Sequence, residues 1–405
     1  MKTILFIETT KSGSSREAIK TAARLGYCTV LLTERNSFME QYEEFPDVTR
    51  VIHVREITED LIRTEIRRLQ QQGNSIKAII SFVDPFVSMA AKLSNEYCDS
   101  IISVDALKKM EDKTATRKAL KNNVTTPAFE IYQPTDELDT ILNKGYTFPQ
   151  IVKSAVSKAS KDVYLVGNKV EMKKALKKII KQYPVQKVVI EDYLDGPQYV
   201  VEVLVHNGTI NIVAIFKQDI TKKTKFIVTG YELQLNLEKG LYETLYKAVE
   251  SILIDLGVTN ATCHLEIRYV NGSWKLVEVN PRISGGAMNR MIEEAFGINL
   301  VEETIKLYLG YEPCLIRKYE KQIYAHYITI NSYGNLLKVT GENLASHQPG
   351  VKEVYIKPSI GTIMIPPLSM GHRYGYVIAS GNTSDEANEN AVNAAKNIKF
   401  YLDPI

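Results

Sequence analysis

Two long stretches of alternating residues, each reversing on an asparagine–glycine pair, constrain this chain more than any other feature. They are "QYVVEVLVHNGTINIVAIF" and "ATCHLEIRYVNGSWKLVEVN". Period-two alternation marks strands that put one face on a core, and Asn-Gly supplies the positive φ angles of a tight hairpin turn. The middle of the chain is therefore committed to antiparallel sheet. The second hairpin runs on into "PRISGG". Glu278, Asn280 and Arg282 share parity there, and Glu266 lies on the opposing strand. A small register offset brings both acids to one face. Two carboxylates and an amide oxygen are hard donors that suit Mg²⁺, an ion that keeps waters and rides on phosphates. Arg282 adds a planar fork for a phosphoryl or carboxylate oxygen. Gly285 and Gly286 let backbone N–H groups approach a ligand without Cβ obstruction. An ordinary solvated strand face could carry the same letters.

The rest of the chain reads differently. "KTILFIETT", "CTVLLTE", "RVIHV" and "KAIISFVD" are strands separated by the helical patterns "REAIKTAARLG" and "TEDLIRTEIRRLQQQG", which argues a parallel sheet with covering helices. The loop "KSGSSR" has one glycine, so a dinucleotide fingerprint is missing. One helix is expected over "ALKKMEDKTATRKALKNN". Residues 128–190 follow as strand, helix, two strands, helix, strand. The tail holds strands around "AHYITIN" and "GTIMIPP", then a strand, a glycine turn and a terminal helix.

A chain of 405 residues exceeds the usual single-domain length. Its net charge of +3 demands no polyanionic partner, so nucleic acid is not expected. The four cysteines, at 28, 98, 263 and 314, lack metal-ligand spacing and read as buried thiols of a reducing compartment. No run approaches a membrane span, so a cytoplasmic protein without membrane partner is expected.

The constellation Glu266, Glu278, Asn280 and Arg282 resembles the ATP-grasp superfamily, and "HLEI…LVEVNPRISGG" is similar to carboxylate–amine ligases of the L-amino-acid ligase type. The resemblance extends over nearly the whole chain. It implies an α/β fold with α+β lobes: a Rossmann-like domain (1–109), a small lobe (110–190), a large lobe (191–310) and a C-terminal β-rich part (311–405) completing the large lobe. It implies ATP and Mg²⁺ as cofactors, with Mn²⁺ able to replace the latter, amino acid substrates, and a homodimer.

Site residues follow from the same likeness. Lys113 and Lys153 match the phosphate lysines. Glu191, Tyr193 and Leu194 match the adenine-reading segment, and Gln198 stands where a ribose-reading acid is common. Glu202 matches a buried acid placed among the catalytic groups with Arg282 and Gly285. The phosphate loop "SAVSKASKD" lacks glycine, leaving Ser157 or Ser160 to cover phosphates. Tyr231 stands where such ligases often carry histidine. Ser284, Gly286, His264 and Asp84 are substrate-side candidates. The small Gly286 and Ala287 imply room for a large first amino acid, and Asp84 a partner for a basic one; an N-cap before Pro85 competes for Asp84. The implied reaction is dipeptide formation through an acyl phosphate. A carboxylase-like or kinase-like use of the grasp, or a nucleotide-binding module without turnover, are the competing readings.

Overall fold

The computed structural model describes residues 1–40, 42–155, 162–222 and 226–404. The N-terminal alternation forms a parallel sheet of β1 (Lys2–Ile7), β2 (Cys28–Thr33), β3 (Arg50–His53) and β4 (Ser75–Ile80), ordered β3-β2-β1-β4. Such strands are covered on both faces and so read as continuous apolar runs. Ile4 and Phe6 pack in the same core as Ala18 and Ile19 of the helix Ser14–Arg24. Leu5 and Ile7 pack in that of Ile62 and Ile66 of the helix Glu59–Gln71.

The single helix expected from residue 106 is two, Val104–Glu111 and Lys113–Ala119. Asp112 is extended between them (φ −116°, ψ 112°), and its carboxylate accepts from the N–H groups of Thr114 and Ala115. The break is an N-cap, chosen because aspartate satisfies orphan N–H groups better than it continues a helix.

A four-stranded antiparallel sheet follows: β5 (Phe129–Tyr132), β6 (Gln150–Ser154), β7 (Val163–Val166) and β8 (Val188–Asp192), ordered β5-β8-β6-β7. The helix Lys169–Gln182 buries Met172, Leu176 and Ile179 in the core this sheet shares.

The two hairpins build the largest sheet, from β9 (Gln198–His206), β10 (Thr209–Lys222), β11 (Phe226–Leu233), β12 (Ala261–Val270) and β13 (Ser273–Asn280). Both turns have left-handed central residues, Asn207 (φ 49°) and Gly208 (φ 78°), then Asn271 (φ 48°) and Gly272 (φ 80°), as a type I′ turn requires. The C-terminal part adds β14 (Gln322–Ile328), β15 (Gly334–Thr340), β16 (Val351–Ile356), β17 (Ile363–Met364), β18 (Gly375–Gly381) and β19 (Lys399–Asp403). Three of these extend the large sheet to eight strands, β13-β12-β9-β10-β11-β14-β18-β16, while β17-β15-β19 form a separate small sheet. The chain thus ends on a strand, not on the helix Ser384–Ala395. All four cysteines are free, but only Cys263 is buried and Cys314 is exposed, correcting the expectation for the others. Among the described residues no helix is long and apolar enough to cross a membrane.

Candidate active site

One face of the eight-stranded sheet gathers the polar residues. Glu266 of β12 lies opposite Glu278 of β13 and Val200 of β9, and His264 lies opposite Asn280 and Glu202. Directly opposed residues share a face. A register shift after Glu266 makes this possible: Ile267 pairs with Leu276, so Val277 is the extra residue of a bulge. Without it Glu266 would oppose Val277. The bulge re-aims the acids, a common use of this device near sites.

Glu266 is pushed up to about 7 by burial and then by the neighbouring Glu278. A buried acid beside a second carboxylate is one that a bound cation would stabilise in its charged form. Among the described residues no three His, Cys, Asp or Glu side chains converge. Two carboxylates with the Asn280 amide on the same strand would suit an ion that takes oxygen and retains water, as Mg²⁺ does, better than a closed zinc site. Gln198 donates to Glu266 at 2.9 Å and accepts from Arg268 at 2.8 Å.

At one end stand the lysines. Lys113, the first residue of its helix, has its Nζ 3.4 Å from Glu278. Lys153 is buried and donates to Glu191 and, at 3.3 Å, to the Val277 carbonyl exposed by the bulge. Glu191 also accepts from Arg117 at 2.9 Å. Burial works to raise the Glu191 pKa, but Arg117 and Lys153 outweigh it and hold the group below its ordinary range. The Glu191 side chain thus anchors the lysine; it does not turn toward the linker expected to read adenine. In that linker Tyr193 stacks on Phe226 with centroids 6.2 Å apart, and the Leu194 carbonyl accepts from Arg268. Ser157 and Ser160 lie outside the described residues.

At the other end Arg282 donates to Asp84 through Nε (3.1 Å) and a terminal nitrogen (2.8 Å). Asp84 therefore joins the site by meeting Arg282, and its charge is already engaged, which removes the argument for a basic first substrate. His264 is within 2.8 Å of the Arg282 carbonyl and is pushed down to about 4, by burial and then by the Arg282 charge. It is a neutral brace for the strand end.

Glu202 has no exposed surface and accepts from the Ser284 backbone N–H (3.1 Å) and hydroxyl. It lies beneath the glycine loop and shapes it, a positioning place and not the catalytic one expected. Ser284 is 1% exposed, and its carbonyl accepts from Asn289 (2.7 Å) and Ser14. With N–H, hydroxyl and carbonyl all engaged, it has nothing left for a substrate, which corrects its expected role. The loop "KSGSS" finds its place here: Ser14 bonds the glycine loop, and a Cβ on Gly13 would lie 3.4 Å from the Gly286 nitrogen. Gly285 faces open space.

Gly286 does not leave room for a large side chain. Its φ is +69°, and a Cβ there would come within 2.5 Å of the Tyr327 hydroxyl. That hydroxyl accepts from the Ala287 N–H at 2.9 Å. The small residue is required by the backbone and by Tyr327.

Arg117, Arg268 and Tyr327 were not singled out by sequence reasoning. An arginine letter in a helix or strand carries no sign of whether it is buried, and Tyr327 looks like one core aromatic among 23 tyrosines.

A central antiparallel sheet bearing paired acids, a smaller antiparallel lobe presenting a buried lysine and an N-terminal parallel sheet together define the ATP-grasp class. The ATP-grasp domain model matches residues 146–290, and the model described as L-amino acid ligase C-terminal domain 2 matches residues 326–403. The chain therefore carries an ATP-grasp domain and an L-amino acid ligase C-terminal domain, the make-up of an ATP-dependent carboxylate–amine ligase. It is 22% identical to the uncharacterized protein y4rH of Sinorhizobium fredii, over 100% of this chain and 84% of that protein. It is 23% identical to dapdiamide A synthase of Enterobacter agglomerans, over 56% of this chain and 55% of that one. In fold it is similar to the crystal structure of L-amino acid ligase from Bacillus licheniformis, with a TM-score of 0.85 at 19% identity, covering 100% of this chain and 99% of that one.

Proposed function

We propose that the protein is an ATP-dependent L-amino acid ligase that joins two unprotected amino acids into a dipeptide, releasing ADP and phosphate. The observation that carries this reading is the opposition of Glu266 and Glu278 on a face bounded by Lys113 at one end and by Arg282 and open Gly285 at the other. The match of residues 326–403 to an L-amino acid ligase domain supports the choice of amino acids as substrates.

A carboxylate is a poor electrophile because its leaving group would be oxide; transfer of the ATP γ-phosphoryl supplies a better one. Lys113 and Lys153 would hold phosphate oxygens, and Tyr193 and Leu194 would flank the base through the linker. Glu266, Glu278 and Asn280 would hold Mg²⁺, which supplies neutralisation of phosphate charge when bound. Arg282, fixed by Asp84 and by His264 on its carbonyl, would orient the reacting carboxylate. The backbone N–H at Gly285 would face the oxyanion formed when the amine attacks, a donor placed in advance on the loop that Glu202 and Asn289 brace. Closure of the lobes would keep water from the acyl phosphate.

Incubation with ATP, Mg²⁺ and the proteinogenic L-amino acids tests this, by ADP, phosphate and new peptide mass. Equal amounts of ADP, phosphate and dipeptide are expected, and E278Q should lower kcat roughly 100-fold, about 2.7 kcal/mol of lost transition-state stabilisation. AMP with pyrophosphate, or phosphate with no conjugate, would refute the reading.

A further inference from the structure

A further arginine, on the far side of the site face, has no part in the scheme above. Arg373 precedes β18 and lies over the ring of Tyr327, its guanidinium carbon 3.9 Å from the centroid. A terminal nitrogen donates to the Tyr231 hydroxyl at 3.5 Å. Its Nε is inaccessible to solvent and has no partner among the described residues. The same holds for Oε1 of Gln218, which stands directly opposite Tyr231 on β10. Burial and then Arg373 hold Lys357 below its ordinary range, and a carboxylate that acts on Arg373 is Glu266, with which it has no ion pair among the described residues.

Sheet register fixes which side this is. Glu266 opposes Val200, Val200 opposes Phe216, and Gln218 and Tyr231 lie two residues along from Phe216 and its partner Leu233. Tyr231 opposes Ala325, two residues before Tyr327. All therefore share the Glu266 face. Tyr327 then ties this region to the glycine loop through Ala287.

A guanidinium desolvated against two phenol rings with an unused N–H is costly. Arg373 as a whole is only half-buried, so a two-oxygen anion can reach its terminal nitrogens and offset the charge, the planar guanidinium being matched to a carboxylate. The reaction proposed above offers three anions. The phosphates belong with Lys113 and Lys153 beyond β12, whereas Tyr231 stands on β11, three strands away and roughly 14 Å across the sheet. The reacting carboxylate must meet the γ-phosphoryl group, on the Arg282 side. What remains is the carboxylate that the attacking amino acid keeps.

We infer that Arg373, on its shelf of Tyr231 and Tyr327, binds the retained α-carboxylate of the acceptor amino acid and so points its amine toward Gly285. This rests on the ligase reading. No bond is made or broken at Arg373; it is a specificity residue that excludes amines lacking a carboxylate.

The test first identifies the dipeptide formed by the wild-type enzyme from the amino acid pool. The amino acid at its C-terminal position is then compared with its α-amide as acceptor, for wild type, R373K and R373M. Wild type should prefer the acid by at least about 30-fold in kcat/KM. In R373M the acceptor KM should rise at least about tenfold, while the KM for ATP stays within about twofold, and the preference for acid over amide should collapse. R373K should fall between. A wild-type enzyme that uses the amide as well as the acid overturns the inference without any variant. So does an R373M enzyme that keeps the preference, or one whose KM for ATP rises instead, which would give the guanidinium to the phosphates. In those three outcomes dipeptide still forms and the ligase reading stands; absence of any dipeptide refutes that reading and takes this inference with it.

Discussion

Glu202 is a carboxyl group with no exposed surface whose bonded partners are all uncharged: the Ser284 N–H and hydroxyl. Burial is the largest influence on it and pushes it up to about 8, against the opposing pull of the Ser284 N–H and of Arg282. In the unfolded chain a glutamate titrates near about 4.3. Between those values the folded protein binds more protons than the unfolded one, so stability contributed by this group is present at low pH and lost as pH rises toward about 8. E202Q keeps an acceptor for Ser284 and removes the titration. In urea melts without nucleotide, wild type minus E202Q should therefore decline steadily from pH 5 to pH 8; a flat difference would show that Glu202 is ionised throughout. The sequence puts Glu202 among the site residues through its likeness to a family pattern. It does not disclose that the partner is Ser284, 82 residues on. The same blindness hid Arg373, because burial of one side chain by distant strands leaves no trace in its neighbours along the chain.

At the scale of elements, legibility follows how local the cause is. Both hairpins were readable because alternation and Asn-Gly act within a few residues. The bulge at Val277 was not, since it depends on pairing with β12 and on two cations meeting two carbonyls there: Arg117 donates to Leu276 (3.0 Å) and Val277 (2.8 Å), and Lys153 to Val277. Strands β15 and β16 were missed because most of their residues are only partly buried and their alternation is weak. The break at Asp112 was missed because every residue of "MEDKTATRK" tolerates a helix; only the cap geometry reveals the boundary. That cap also aims Lys113, one residue on, at Glu278. D112A should cost about 1 kcal/mol of stability and D112N almost none, because asparagine caps as well as aspartate. The accompanying measurement is the KM for ATP, expected to rise in D112A and to hold in D112N. A rise in both would trace the effect to the Asp112 charge instead of the cap.

Across the whole molecule, Arg117 is the side chain that binds separate parts into one. It sits in the helix Lys113–Ala119, is 2% exposed, and reaches Glu191 of the small antiparallel sheet and two carbonyls of β13 in the large one. The N-terminal parallel sheet, the strands of the small lobe and the central hairpins were legible from the order of strand and helix patterns, while the separate sheet β17-β15-β19 was not, and nothing in the letters says how the lobes are joined, since the joint is made of side chains from residues 117, 153, 191 and the 276–277 backbone. Replacing Arg117 by methionine keeps volume and strands one carboxylate oxygen and two carbonyls. Breaking a buried pair from one side costs about 3–5 kcal/mol, and here that loss falls on the junction. The single tryptophan, Trp274 on β13, reports the large sheet alone, while far-ultraviolet circular dichroism reports every lobe. In wild type the two urea transitions should coincide, as a cooperative unit requires. In R117M the dichroism transition should begin at lower urea than the tryptophan transition, because the small lobe can then unfold first. R117K, with a charge but no fork for three acceptors, should lose part of the stability and show a smaller separation. Coincident transitions in R117M at an unchanged midpoint would mean the lobes are joined by something other than this guanidinium.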